Sequence, residues 1–270
     1  MVKNLKYYFK KAKKEKWVIG QFNFSNLEQL QAILLAAQNK KSPVIVGTSE
    51  GESQFIGLKQ AVALVGSFRE ETKLPIFLNL DHGKSLSYTK RAVDLGYQAV
   101  HFDGSELPLN KNIKITKQVI EYARQKGVIV EGEVGVIGKD LTSPNEVKKF
   151  IKEVKIDSLT INVGTSHGIS SSNIDIKRLK EISDIVGPMP LVLHGGSGTS
   201  EKDIRTAIKL GIVKININAE TRMTYTNTLK KVLKDNPEEN TSYKYMPTVI
   251  KAVQKMVEEK MKLFGSIDKI

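Results

Sequence analysis

Residues 76–83 read IFLNLDHG. The run is apolar, then stops at two ionisable side chains, Asp81 and His82, followed by a glycine. Continuous hydrophobicity marks a parallel strand covered on both faces, in contrast to the alternation of a sheet with one wet face. A strand that is core for most of its length and reactive only at its carboxyl end is the unit from which parallel barrels build their sites. The chain repeats that unit. Similar runs lie at 17–23 (WVIGQFN), 43–49 (PVIVGTS), 75–81 (PIFLNLD), 99–104 (AVHFDG), 127–135 (GVIVEGEVG), 158–164 (SLTINVG), 190–196 (PLVLHGG) and 212–218 (IVKININ).

Helical patterns separate them. Residues 26–39 follow Ser25, read as the cap, and 85–95, 110–125, 144–154, 175–185, 200–210 and 220–234 continue the series. Ser200 with Asp203 makes a variant capping box. Connections are short and no composition break divides the chain. Eight strands alternating with helices predict an α/β fold, a (β/α)8 TIM barrel occupying 1–270 as one domain. The rival, a doubly wound open sheet, fits eight runs less well. A further helix at 247–263 is expected to cover the barrel or to pair with another subunit.

Composition narrows the function. There are no cysteines, which removes disulfides, thiolate catalysis and zinc–thiolate sites and fits a reducing compartment. The basic amino terminus lacks the apolar core of a secretory signal, and no run approaches a membrane span. The expectation is a cytoplasmic protein. The net charge of +13 raises nucleic acid or an anionic membrane as a partner, but only six of the 42 basic residues are arginine, the residue suited to bidentate phosphate and base contacts. Solvated lysine surfaces are the reading, with neither nucleic acid nor membrane as partner. The positive field would still draw in an anionic substrate.

The strand ends carry the chemistry. Three of the four histidines, His82, His167 and His194, fall at the carboxyl ends of the third, sixth and seventh runs. Three imidazoles at one barrel mouth make a Zn²⁺ site with an open position. His101 precedes its strand end and reads as packing or as support for a ligand. Asp103 ends the fourth run, Glu131 and Glu133 stand in the fifth, and Asn216 and Asn218 end the eighth. The GGSG run at 195–198, placed after strand seven and before a helix, is a candidate phosphate cradle.

Together the motifs at 79–83, 103–105, 131–135, 164–168, 194–198 and 214–220 resemble the class II, metal-dependent fructose- and tagatose-bisphosphate aldolases. The resemblance runs in order from Phe22 and Asn23, through SPVIVGTSEG at 42–51, to YKYMPTVIKAV at 243–253. It implies a zinc-dependent barrel, dimeric or tetrameric, that cleaves a ketose 1,6-bisphosphate into dihydroxyacetone phosphate and glyceraldehyde 3-phosphate. His82, His167 and His194 would ligate zinc, with Asp103 and Glu133 as an alternate or second metal position. Asp81 would be the proton donor. Asn23, Ser49, Gly168, Gly195, Gly196, Ser197, Asn216, Ile217, Asn218 and Ala219 would hold substrate, and a monovalent cation (Na⁺ or K⁺) serves some members.

The residue types suit that reaction. Breaking the C3–C4 bond leaves charge on an enediolate, which a Lewis acid stabilises, while a neighbouring carboxyl moves the C4 hydroxyl proton. A Schiff-base route would need a lysine at a strand end, and Lys214 lies inside the eighth run.

Three departures stand beside the resemblance. The family has a long acidic loop after strand five that brings a catalytic glutamate; residues 135–143 pass almost directly into the next helix, and their only acid, Asp140, reads as a turn residue. Ala219 lacks the hydroxyl of the family's phosphate contact, and 169–172 (ISSS) stands where a lysine-bearing loop is common. These departures leave two alternatives to a fructose or tagatose bisphosphate. One is another phosphorylated ketose, the other a non-catalytic barrel that binds a metal and a sugar phosphate.

Overall fold

Side chains along a strand point alternately to its two faces, and the computed structural model, which describes residues 3–166, 168 and 173–270, shows where each face goes. In β3 (Ile76–Gly83), Ile76, Leu78 and Leu80 join the large apolar cluster beneath the helices, whereas Phe77 joins a separate cluster inside the barrel. Asn79 and Asp81, on the same inward side, bond to Gln21 and Asn23 across the interior.

The barrel is closed and entirely parallel, in the order β1 (Ile19–Asn23), β2 (Val44–Ser49), β3, β4 (Ala99–Phe102), β5 (Ile129–Val134), β6 (Ser158–Ile161), β7 (Leu191–Leu193) and β8 (Ile212–Ile217). β8 pairs back onto β1, with Gln21 beside Asn216. The TIM barrel expected from the eight runs is therefore the fold. β4, β6 and β7 are shorter than their sequence runs because their last residues leave the ladder to form the mouth.

Two internal layers share this wall. At the amino end, α1 (Leu5–Glu15) closes the barrel, and its Leu5, Tyr8, Phe9 and Ala12 pack on Trp17, Ile19, Ile45, Phe77, Ala99, Ile129 and Val213. Two residues further along the strands the inward positions become polar: Gln21, Asn79, His101 and Glu131, all buried. Two more bring Asn23, Asp81, Asp103 and Glu133 to the mouth.

The helices α2 (Leu27–Asn39), α5 (Leu86–Leu95), α6 (Leu109–Arg124), α7 (Pro144–Glu153), α8 (Ile176–Val186), α9 (Glu201–Lys209) and α10 (Ala219–Asp235) lie where the sequence patterns place them. The cap of α2 is Asn26, whose side chain accepts from the Gln29 N–H, while Ser25 turns to the Gln29 side chain instead. Two helices, α3 (Glu50–Ile56) and α4 (Leu58–Thr72), fill the connection between β2 and β3. α11 (Ser242–Phe264) starts before the expected 247 and carries Pro247 internally. It packs against α2 and α10 and sends Val253, Val257 and Phe264 into the core, so it covers the barrel.

Candidate active site

The strand β3 ends irregularly. Its pairing with β4 shifts between Leu80 and Gly83, and His82 adopts a left-handed backbone with φ of 51°. For a non-glycine residue this costs roughly 1–2 kcal/mol. The shift separates Asp81 and His82 in direction. Asp81 stays in the barrel, its Oδ2 accepting from Asn23 Nδ2 and its Oδ1 from Asn216 Nδ2, each at 2.9 Å. Burial alone would favour its neutral form, but the imidazoles of His82 and His194 and the Lys214 ammonium hold it well below the usual carboxylate range. Asp81 is ionised.

Two carboxylates fix the proton positions of two imidazoles. His82 Nδ1 lies 2.7 Å from Asp103 Oδ2, and His194 Nε2 lies 3.0 Å from Glu131 Oε1. An ionised carboxylate only accepts, so each ring donates there. Asn216 Nδ2 lies 3.1 Å from the same His194 nitrogen, but the charged acceptor has the stronger claim on the proton. With both rings neutral, lone pairs would remain on His82 Nε2 and His194 Nδ1, and these two atoms face each other at 2.9 Å. Lone pairs at that separation repel unless a cation, a proton or a metal ion, joins them. Neutral imidazoles with carboxylate-bound outer nitrogens are the donor set that a zinc-type ion takes.

Charge is arranged in keeping with this. Glu131 is held far below its ordinary range: burial opposes, but Lys214 at 2.6 Å and the surrounding imidazoles prevail. Lys214 is thus committed to an ion pair inside the barrel, as its place within the eighth run implied. Asp103 also accepts from Lys84 Nζ at 2.6 Å and from Ser105 Oγ at 2.6 Å. Glu133 is pushed up to about 7 by burial and by the Asp103 carboxylate. Its Oε2 lies 3.6 Å from His82 Nδ1. Two overlapping sets, Asp81, His82, His101 and His194 and then His82, Asp103 and Glu133, each bring ligand atoms within 4.8 Å of one another. His167, expected as the third imidazole, lies outside the described residues.

The cavity above this cluster is lined by Asp81, His82, His194 and Asn216. Ser49, Gly168, Gly195, Ser197, Asn218 and Ala219, all expected to hold substrate, also border it. Asn23 stands behind Asp81. The Ile217 side chain is fully buried in the outer core, because its neighbours Asn216 and Asn218 take the inward positions; only its main chain can serve a ligand. At Gly196 a Cβ would collide with Ile215, so this glycine lets the loop pack onto β8. The stretch 135–143 is held tightly: Asn162 Nδ2 donates to the carbonyls of Val136, Lys139 and Asp140. Asp140 is exposed and joins this turn through its main chain.

With the same architecture come relatives along the whole length. A family model described as class-II fructose-bisphosphate aldolase matches residues 3–269. The chain belongs to that family. It is accordingly an aldehyde-lyase of a metal-dependent family that acts on phosphorylated sugars. The 6-phospho-5-dehydro-2-deoxy-D-gluconate aldolase of Bacillus licheniformis is 38% identical, the match covering 98% of this chain and 96% of that protein. The fructose-bisphosphate aldolase of Geobacillus stearothermophilus is 36% identical over 98% of each. Among solved structures, the YdjI aldolase from Escherichia coli K12 superposes with a TM-score of 0.89 at 31% identity, covering 100% of this chain and 99% of that one.

Two residues of the aldolase site escaped the sequence reading. Glu52 accepts from Asn23 Nδ2 at 2.9 Å and Asn218 Nδ2 at 3.1 Å, linking two elements of the mouth. Its signal was the Ser49–Glu52 capping box of α3. Arg222, one turn into α10, lines the cavity and adds a cation beside the 195–198 loop. Among the described residues no helix is long and apolar enough to cross a membrane.

Proposed function

We propose that this aldolase cleaves a ketose 1,6-bisphosphate, fructose or tagatose, between C3 and C4 into dihydroxyacetone phosphate and glyceraldehyde 3-phosphate, with Zn²⁺ as its metal. The observation that carries the reading is the 2.9 Å approach of His82 Nε2 and His194 Nδ1 beside an ionised Asp81. In this reading His82, His194 and His167 hold the ion, and Asp103 and Glu133 offer it an alternate position. The ion supplies Lewis-acid stabilisation of the enediolate charge.

Asp81 takes the C4 hydroxyl proton during cleavage and returns it, as the proton donor, in the reverse addition. Asn23 and Asn216 fix its two oxygens, so the carboxylate meets the hydroxyl without first ordering itself. Glu52 supports Asn23 from behind. The phosphate of the dihydroxyacetone moiety is received by Gly168, the 195–197 main chain and Asn216–Ala219, with Arg222, and a monovalent cation (Na⁺ or K⁺), as countercharge. The enzyme works in the cytoplasm as a homodimer or homotetramer.

A second substrate is favoured by particular observations. The 135–143 stretch carries no glutamate, and relatives from Bacillus licheniformis and Bacillus subtilis are named for a phosphorylated keto acid, 6-phospho-5-dehydro-2-deoxy-D-gluconate. A panel of phosphorylated ketoses and that keto acid, with coupled detection of triose phosphate, distinguishes the two. Tritium exchange from dihydroxyacetone phosphate tests the shared half-reaction whatever the aldehyde. Exchange is expected. Stoichiometric metal and phosphate-ligand binding without exchange would mean a non-catalytic barrel.

A further inference from the structure

Inside the ligand cluster sits an imidazole that the mechanism does not use. His101 is completely buried, and its ring centroid lies 4.6 Å from that of His82 and 4.9 Å from that of His194. Its Nδ1 accepts the main-chain N–H of His82 at 3.2 Å. A neutral ring whose Nδ1 accepts must carry its proton on Nε2. That nitrogen lies 2.9 Å from Glu133 Oε2, though out of hydrogen-bond alignment, and among the described residues neither atom has a hydrogen-bond partner.

The first contact explains how a strained turn survives. The ladder shift at the end of β3 takes the His82 N–H out of strand pairing. A buried N–H without an acceptor is costly, as is left-handed backbone at a non-glycine residue. The His101 ring supplies the acceptor that β4 would otherwise have offered, from the same strand. The second contact faces a carboxylate that must choose between His101 and the His82 side. Nδ1 is taken by the His82 N–H and Nε2 carries the proton, so in this tautomer the ring has no lone pair to give an ion.

We propose that His101 is a positioning residue of the metal site, tying the main chain of His82 to the carboxylate of Glu133. The inference rests on the reading of His82 and His194 as metal ligands. It assigns His101 a role through these groups and none on the ion itself.

The test titrates metal-free protein with Zn²⁺ against a chromophoric chelator and records the visible spectrum of the Co²⁺ form. Native protein is compared with His101→Phe, His101→Asn and His101→Gln, alongside thermal unfolding of each metal-free form. Supporting partners of metal ligands contribute roughly 10–100-fold to affinity, so His101→Phe is expected to lose about that much while retaining native stoichiometry. His101→Asn keeps an acceptor near the His82 N–H, and His101→Gln keeps a donor near Glu133. Each should recover part of the loss, with a shifted Co²⁺ band but the same coordination number. His101→Phe with native affinity and spectrum would overturn the proposal and make the ring mere packing. Loss of a coordinated nitrogen in all three variants would overturn it too, making His101 a ligand. No binding by the native protein would remove the metal reading itself, and this inference with it.

Discussion

The two ends of one barrel interior are built by the same strands and differ in almost everything else. At the amino end Phe77, Ile45, Ile129 and the underside of α1 form a dry plug. Four residues further along, β3 presents Asp81 where it had presented Phe77, and β5 presents Glu133 where it had presented Ile129. The strand that buries apolar surface at one end thereby pays for the desolvated charge at the other. Stability and chemistry are separated by about 13 Å of strand, at roughly 3.3 Å per residue. The same substitution should therefore have opposite consequences at the two ends.

Asp81→Ala tests the mouth and carries the largest expected effect. A positioned proton-transfer group is worth roughly 10²–10⁴-fold, so cleavage should fall by about that factor with little loss of thermal stability. A change within a few-fold on every substrate tested would remove the role assigned to Asp81. Phe77→Ala tests the plug. Truncating a buried Phe costs about 3–5 kcal/mol, read as a lowered denaturant midpoint, while Zn²⁺ affinity of the folded fraction stays native. Equal losses of stability and affinity would show that the two layers are not independent.

The contrast also has a pH signature in the metal-free protein. Burial opposes charge on His82, but Asp81 and the Asp103 hydrogen bond raise its pKa to about 9. A pKa raised in the folded state contributes stability fully present below about 6.5 and lost as pH rises through 9. Glu133, raised to about 7 by burial and Asp103, acts in the same direction at lower pH. The metal-free form should lose stability between pH 6.5 and 9 in thermal melts. Over that range Zn²⁺ affinity should rise, since the ion no longer displaces a proton. A flat stability profile with pH-independent affinity would contradict the charge state assigned to His82. The smallest effect belongs to Ala219→Ser. Restoring a hydroxyl at the phosphate cradle should gain about 0.5–1.5 kcal/mol, seen as a lower inhibition constant for a dihydroxyacetone phosphate analogue. No gain would place the phosphate elsewhere.

Much of this was legible in the chain, for reasons that differ by element. β3 announced itself because a strand buried on both faces needs apolar residues throughout, and an interruption at its end then has to be functional. The polar pairs two residues apart, Asn79 with Asp81, His101 with Asp103, Glu131 with Glu133 and Lys214 with Asn216, carry the period of an inward face. That period places His101 in the cluster; position relative to the strand end alone did not. α4 was hidden because its cap position is Gly57, which offers no side-chain cap, and because it contains Gly66. Asn26 and Ser25 were both chemically suited to cap α2, and only backbone geometry chooses between them. The left-handed turn at His82 had no sequence signal, since its support comes from His101 on the next strand.

X-ray absorption of the zinc-loaded protein counts the imidazoles on the ion. At least two imidazole nitrogens are expected at about 2.0–2.1 Å, with the imidazole scattering reduced in His194→Ala. A shell of oxygen ligands alone, unchanged by that substitution, would contradict the reading of His82 and His194 as metal ligands.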